Sequence, residues 1–236
     1  DLGYENQDAV INVNMEVCSG DYLCIVGENG SGKSTLINLI PRYYDVTKGS
    51  VKVDGVDVRD MTQKELRDKL GYVPQKGVLF SGTIDSNIRY GKPEITDAQV
   101  KEAAEVAQAT EFIDTKPEKY ESPVSQGGTN VSGGQKQRLS IARAIAKDPE
   151  IFIFDDSFSA LDFKTDSQLR KALKEYTKDA TTVIVAQRIS TILGADQIIV
   201  LDDGHMAGIG THKELMANCE VYQQIARSQL SEEELA

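Results

Sequence analysis

A glycine-rich run between two apolar segments constrains the fold of this 236-residue chain more than any other feature. Residues 27–34 read GENGSGKS and match the pattern G-x-x-x-x-G-K-[ST]. The apolar run 23–26 before it is predicted to be a strand, and the apolar positions of 36–40 after it predict a helix. A strand, loop and helix in this order turn backbone N–H groups toward one anion at the positive end of the helix. The sequence therefore predicts a phosphate-binding loop.

Two side chains of this loop are expected to have separate roles. Lys33 would reach the β and γ phosphates of a nucleotide, and the Ser34 hydroxyl would bind Mg²⁺. ATP and Mg²⁺ are therefore the predicted cofactors. The predicted nucleotide contacts in the loop are Gly27, Glu28, Asn29, Gly30, Ser31, Gly32, Lys33, Ser34 and Thr35.

The carboxylate of the Mg²⁺ site is predicted at the end of a buried strand. Residues 151–154 are all bulky and apolar, and Asp155 follows them directly. Gln75, which follows Pro74, is a candidate ligand of the metal ion or of the attacking water. The predicted metal ligands are Ser34, Gln75 and Asp155.

The fold class predicted from the remaining patterns is one α/β domain with a mostly parallel sheet. Residues 4–26 and 49–58 alternate apolar with polar, which predicts antiparallel strands at the N-terminal end and a hairpin at Asp54-Gly55. After Pro149 the chain alternates strand and helix patterns, as parallel sheets do. The predicted elements there are strand 151–154, helix 166–176, strand 182–186 and strand 197–201.

A helical lobe is expected between these two β-rich parts. Residues 86–147 are helical in pattern, and Thr96 with Gln99 predicts a capped helix that runs through Val106. We expect a single folding unit over residues 1–236. Its predicted parts are a core at 1–85 and 149–228, a helical lobe at about 86–148 and an acidic tail at 229–236.

Composition argues against several function classes. The chain has 26 Lys and Arg against 37 Asp and Glu, a net charge of −11, and its field repels nucleic acid. The three cysteines have no metal-ligand spacing, which favours a reducing compartment. No apolar stretch approaches the roughly 20 residues that cross a bilayer. Because the chain opens at Asp1 in a strand pattern, we expect it to be a piece of a longer polypeptide.

Residues 131–138, VSGGQKQR, resemble the signature of ATP-binding-cassette (ABC) ATPases. Together with the phosphate loop, they make the chain similar to the nucleotide-binding domain of that family from Tyr4 to about Ile225, built on a P-loop NTPase core. The resemblance implies a head-to-tail dimer in which each ATP lies between one phosphate loop and the other domain's signature. It also implies that Tyr4 stacks on adenine. The signature residues implied to contact the partner's ATP are Ser132, Gly133, Gly134 and Gln135.

A second segment narrows the resemblance to exporters. Residues 77–88, GVLFSGTIDSNI, are similar to exporters whose membrane and ATPase parts share one polypeptide. This implies a transmembrane domain as partner, upstream in the same chain, and a location at the cytoplasmic face of the cell membrane. The resemblance to the ABC nucleotide-binding domain further implies that residues 159–162 cross the dimer interface.

The sequence departs from the family at two catalytic positions. Asp156 stands where the family has a glutamate that polarises the attacking water. Gln187 stands in residues 185–191, called the switch segment here, where the family has a histidine. Asp156, Gln187 and Gln75 are the predicted catalytic residues. A shorter carboxylate, and an amide that neither ionises nor accepts a proton, predict binding with slow turnover.

Alternatives to this prediction remain open. Asp156 and Gln187 can have arisen by neutral drift in an active homodimer. Alternatively, they belong to one subunit of a heterodimer, which holds ATP without hydrolysing it efficiently. We favour the heterodimer because Lys33, Asp155 and Ser132 are retained. A different class, a soluble ATP-gated clamp that assembles on DNA or ribosomes, is disfavoured because residues 86–148 contain no coiled-coil or basic insertion.

Overall fold

A computed structural model of the chain describes residues 2–4 and 7–230. The strands are β1 Leu2–Tyr4, β2 Gln7–Val10, β3 Tyr22–Gly27, β4 Lys52–Val53, β5 Val56–Asp57, β6 Leu70–Val73, β7 Gly82–Thr83, β8 Pro123–Val124, β9 Ile151–Asp155, β10 Thr181–Val185, β11 Gln197–Asp202 and β12 His205–Gly210. The helices are α1 Lys33–Asn38, α2 Gln63–Asp68, α3 Ile84–Ile88, α4 Asp97–Val106, α5 Thr110–Asp114, α6 Gly133–Lys147, α7 Phe163–Tyr176, α8 His212–Asn218 and α9 Glu220–Gln229.

Two compact units make up the chain, one of residues 1–70 and 181–236 and the other of residues 71–180. In the first unit β3 lies between β10 and β11 and is parallel to both, while β12 pairs antiparallel with β11. Leu23, Cys24 and Ile25 of β3 have no exposed surface. A continuous apolar run of this kind suits a parallel strand that is covered on both sides.

The N-terminal β pattern is confirmed in part. β1 pairs antiparallel with β2, and β4 pairs antiparallel with β5 around Asp54-Gly55, as predicted. The prediction is wrong for β3, which is parallel to its neighbours, and residues 12–21 form no strand. Alternation in a single sequence does not specify the partner strand, and β3 pairs with strands more than 150 residues away.

The second unit contains helices α3 to α7 beside the neighbouring strands β6 and β9, with β7 and β8 paired antiparallel. α6 packs against α3 and α4. Thr96 is the N-cap of α4: its hydroxyl accepts from the Gln99 backbone N–H, while the Gln99 side chain accepts from the Thr96 backbone N–H. This confirms the predicted capping box. The division into a core and a lobe at about 86–148 stays a prediction.

None of the helices within residues 2–4 and 7–230 is long and apolar enough to cross a membrane.

Candidate functional site

The predicted phosphate loop runs from the end of β3 to the start of α1, within the first unit. Two of its glycines are required by close backbone approach. A Cβ atom at Gly27 would lie 2.2 Å from the Leu201 carbonyl oxygen, and one at Gly32 would lie 2.5 Å from the Ala9 carbonyl oxygen. Both glycines have positive φ, at 154° and 96°. Any side chain at either position would displace the loop.

Lys33 folds back over this loop. Its Nζ donates to the carbonyl oxygens of Gly27 at 2.8 Å and Glu28 at 2.6 Å, and lies 3.4 Å from Ser31 Oγ. The side chain is only 8% exposed, so a buried ammonium group is held within the loop. Gly32, the N-cap of α1, provides no side-chain cap, and the N-terminus of a helix carries partial positive charge that favours an anion. The loop thus has the donors and the charge that fit a phosphate group.

The switch segment lies in the same unit, directly after β10. The Ala186 N–H donates to the Ile25 carbonyl at 3.1 Å, and the exposed Gln187 follows. Gln229, the last residue of α9, donates from Nε2 to the Gln187 carbonyl at 2.8 Å and accepts the Ile189 N–H on Oε1 at 2.9 Å. One side-chain amide therefore bridges the backbone on both sides of residue 188.

In the second unit the two neighbouring aspartates at the end of β9 have different partners. Asp155 is 8% exposed, and its Oδ2 lies 3.4 Å from the Tyr72 hydroxyl. Asp156 is 7% exposed, and its Oδ2 accepts from Gln75 Nε2 at 2.9 Å. The structure thus brings together the predicted catalytic residues Gln75 and Asp156. Among the described residues, no group of three or more His, Cys, Asp or Glu side chains is arranged to hold a metal ion.

The segment after Asp156 is firmly anchored. Ser157 is fully buried and donates to the Val73 carbonyl at 2.8 Å. Phe158 packs on Phe154 with ring centroids 5.3 Å apart. The Arg170 guanidinium carbon lies 4.1 Å from the centroid of the Phe158 ring. These contacts fix the backbone that carries Asp156.

The signature residues open helix α6. Ser132 is the N-cap of α6 and forms a capping box with Gln135. Ser132 and Gly133 are exposed, and a Cβ atom at Gly133 would meet no atom of the described residues within 4 Å. At Gly134 it would make an ordinary contact, 3.5 Å from the Ala160 carbonyl oxygen. The packing of this chain therefore does not explain the glycine at 133.

Residues 10–159 match the family model described as ABC transporter. The chain belongs to this family. This match confirms the prediction that the chain is an ABC nucleotide-binding domain, a domain that binds ATP.

The relatives of this ABC domain are exporters by name. It is 45% identical over 224 residues to a protein named "Putative multidrug export ATP-binding/permease protein" in Staphylococcus aureus strain NCTC 8325 / PS 47, and equally so to its namesake in strain COL. The alignment covers 94% of this chain and 39% of each relative. The chain thus spans well under half the length of these relatives.

A solved structure supports the same conclusion. The structure of a bacterial Atm1-family ABC exporter with ATP bound matches with a TM-score of 0.92 and 38% identity, over 98% of this chain and 41% of that one. The predicted fold class, α/β with a mostly parallel central sheet and an antiparallel β part, is confirmed.

One predicted site residue cannot be compared with the structure, and one residue that contacts the switch segment was not predicted. Tyr4 is the last residue of β1, but its side chain lies outside the described part of the chain. Gln229 was missed by sequence reasoning, which grouped it with the acidic tail 229–236. A single glutamine at the end of a helix carries no sequence signal that would point to the switch segment.

Proposed function

We propose that this ABC domain is the ATP-driven motor of a membrane exporter, and that its own site binds MgATP but hydrolyses it slowly. The observation that carries the proposal is the environment of Asp156. Its carboxylate is one methylene shorter than glutamate, buried, and bound by the Gln75 amide at 2.9 Å. A general base must reach the attacking water, and loss of a well-placed base lowers the rate about 10²- to 10⁴-fold.

The roles proposed for the remaining residues follow from their chemistry. Lys33 and the amides of residues 27–35 hold the phosphates, and Tyr4 stacks on the base. Mg²⁺, when bound, neutralises phosphate charge. Its proposed ligands are Ser34, Gln75 and Asp155, a hydroxyl, an amide oxygen and one carboxylate, which suits an ion that prefers few protein oxygens. Since Gln75 donates to Asp156 through Nε2, Oε1 is the atom that would accept the cation.

Gln187 is the last residue proposed for the ATP site of this chain's own phosphate loop. Its side-chain amide can donate one hydrogen bond to the terminal phosphate of ATP, but it neither carries a charge nor accepts a proton. Gln187 therefore supports binding more than turnover. In this respect it has the same consequence as Asp156.

The signature residues support a second ABC domain as partner. Gly133 is the first residue of α6, and among the described residues no neighbour lies within 4 Å of a Cβ atom placed there. Approach of another molecule provides the reason for a bare backbone there. We propose that Ser132, Gly133, Gly134 and Gln135 contact ATP bound to a different subunit, and that this partner's site performs most of the hydrolysis.

The membrane partner is proposed from the relatives. Their names join an ATP-binding part to a permease, and this chain spans 39% of their length. We propose that a transmembrane domain lies upstream in the same polypeptide and places this domain at the cytoplasmic face of the cell membrane. An active homodimeric exporter is the rival arrangement, and rapid hydrolysis by the unmodified isolated chain would establish it.

MgATP binding by the isolated chain tests the first part of the proposal. We expect binding without rapid hydrolysis, and Lys33→Ala should weaken the affinity at least about tenfold, because it removes a charged phosphate ligand. Lys178→Ala, at an exposed position in the turn after α7, should leave the affinity unchanged. Urea unfolding of both variants separates lost binding from lost folding. Failure of the unmodified chain to bind MgATP would overturn the proposal.

A further inference from the structure

The side chain of Gln229 uses both ends of its amide on the switch segment. Nε2 donates to the Gln187 carbonyl at 2.8 Å, and Oε1 accepts the Ile189 N–H at 2.9 Å. The Gln187 carbonyl that accepts and the Ile189 N–H that donates lie 42 and 40 residues away in sequence. A bridge of this length is a tertiary contact that the end of α9 makes with a predicted catalytic segment.

The helix that delivers Gln229 is firmly held. Tyr222 is fully buried in α9, and its hydroxyl lies 2.8 Å from His212 Nδ1. Ala226, one turn later, is also fully buried, and its carbonyl accepts the Leu230 N–H at 2.9 Å. Because the last turn of α9 is anchored on both sides of Gln229, the amide is presented in a defined position.

The switch segment needs such a support because regular pairing ends before it. Ala186 makes the last backbone bond to β3, at Ile25, and a short 3-10 helix begins only at Ile189. The Gln187 carbonyl lies in that interval, the Ile189 N–H belongs to the first residue of the 3-10 helix, and Gln229 satisfies both. The bond to the Gln187 carbonyl holds the planar peptide group that follows Gln187, which restricts the backbone rotation that sets the direction of the Gln187 side chain.

We propose that Gln229 is a positioning residue of the switch segment: its amide fixes the backbone around Gln187 so that the Gln187 side chain addresses the terminal phosphate of ATP. This inference rests on the proposed function, in which Gln187 contacts that phosphate. Gln229 itself touches only the backbone of the segment. Its effect therefore concerns ligands that carry a γ-phosphate, and MgADP, which lacks that group, provides the comparison.

The test measures MgATP and MgADP affinities of the 236-residue chain. Gln229→Met keeps the length of the side chain and removes both hydrogen bonds. We expect it to weaken MgATP binding about tenfold and MgADP binding less than about twofold, as loss of one hydrogen bond to a charged group would do. Gln229→Glu keeps the acceptor for the Ile189 N–H but repels the Gln187 carbonyl, and should show the same selectivity.

Gln223 supplies a matched control on the same helix. Its Nε2 donates to the Met216 carbonyl at 3.0 Å, away from the switch segment. Gln223→Met therefore removes a comparable hydrogen bond, and it should lower the affinities for MgATP and MgADP equally or not at all. In a Gln187→Ala background, Gln229→Met should have no further effect on the ratio of the two affinities, because the side chain that it positions is gone.

The outcomes separate this inference from the proposed function. Equal losses for MgATP and MgADP in Gln229→Met, or a selective loss that persists in the Gln187→Ala background, would reduce Gln229 to a structural contact. An unchanged affinity ratio in Gln229→Met, with normal MgATP binding by the unmodified chain, would also overturn the inference alone. An unmodified chain that does not bind MgATP would overturn the proposed function and this inference together.

Discussion

At the scale of single residues, Asp156 combines three constraints. Its backbone has φ 46°, a left-handed conformation that aspartate adopts more readily than most residues. Its carbonyl accepts from the Ser159 hydroxyl at 3.0 Å, and its carboxylate accepts from Gln75. The position of this carboxylate is therefore set by its surroundings, and lengthening the side chain by one methylene would move the charge by more than an ångström.

His212 gives a prediction for pH. Burial lowers the pKa of His212, and its Nδ1 lies 2.8 Å from the Tyr222 hydroxyl, whose pKa burial raises to about 12. The unfolded chain thus binds a proton at His212 at higher pH than the folded chain does. The stability that this causes is present above the ordinary histidine pKa of about 6.5 and is lost as the pH falls through the lowered value.

Urea unfolding between pH 7 and pH 5, a window around that ordinary pKa, measures this effect. The midpoint should fall with pH in the unmodified chain and fall less in His212→Gln. His205→Gln, which changes the other histidine at an exposed position, should retain the full decrease. The same decrease in His212→Gln as in the unmodified chain would assign the pH dependence to other groups.

At the scale of elements, helix α6 combines the signature with the support of Gln75. Its buried Gln137 donates from Nε2 to the Pro74 carbonyl at 3.0 Å and accepts the Gly77 N–H at 2.8 Å. Further along, Arg143 donates to the carbonyls of Asn87 and Val78, and burial lowers its pKa to about 10. The helix therefore fixes the segment 74–88 from two of its turns.

The capping boxes of α4 and α6 allow the effect of a cap on stability to be compared with its effect on ATP hydrolysis. Thr96→Ala and Ser132→Ala each remove the same kind of cap, so each should lower the free energy of unfolding by about 1 kcal/mol. Urea unfolding measures this. In the chain carrying Asp156→Glu and Gln187→His, called the restored chain, Ser132→Ala should also lower ATP hydrolysis about tenfold, while Thr96→Ala should not. Equal hydrolysis in the two variants would remove Ser132 from the site.

Local sequence signals predicted the elements that depend on neighbours in sequence. The Thr96 capping box and the Asp54-Gly55 hairpin are local, and both are confirmed. The direction of β3 and the bridge from Gln229 could not be predicted, because each depends on residues far away in sequence. The hydrogen bond from Gln75 to Asp156 spans 81 residues. The sequence identified its two residues, but not that they contact each other.

At the scale of the whole molecule, the proposed function gives this chain two tasks. In that proposal the phosphate loop and the switch segment belong to the chain's own site, while the exposed start of α6 serves a partner's site. The two tasks depend on different residues, so they can be lost separately. A chain with a slow site of its own can still be needed by an active partner.

Mixing two variants tests this separation. The restored chain with Ser132→Arg added should hydrolyse little ATP alone, because each site in its dimer lacks a working signature. Adding the unmodified chain, which supplies an intact Ser132, should raise hydrolysis at least about tenfold. Adding the Ser132→Arg form of the unmodified chain is the control and should give no increase. Equal hydrolysis with both additions would contradict a signature that acts on the partner's site.

The turnover of MgATP by the restored chain shows whether Asp156 and Gln187 are the reason for slow hydrolysis. The steady-state rate of the Asp156→Glu, Gln187→His chain is compared with that of the unmodified chain under the same conditions, and Lys33→Ala in the restored chain gives the background. We expect a rate at least about 100-fold higher than that of the unmodified chain, because a carboxylate with longer reach and an imidazole are introduced into the site. No gain from the double change would contradict it.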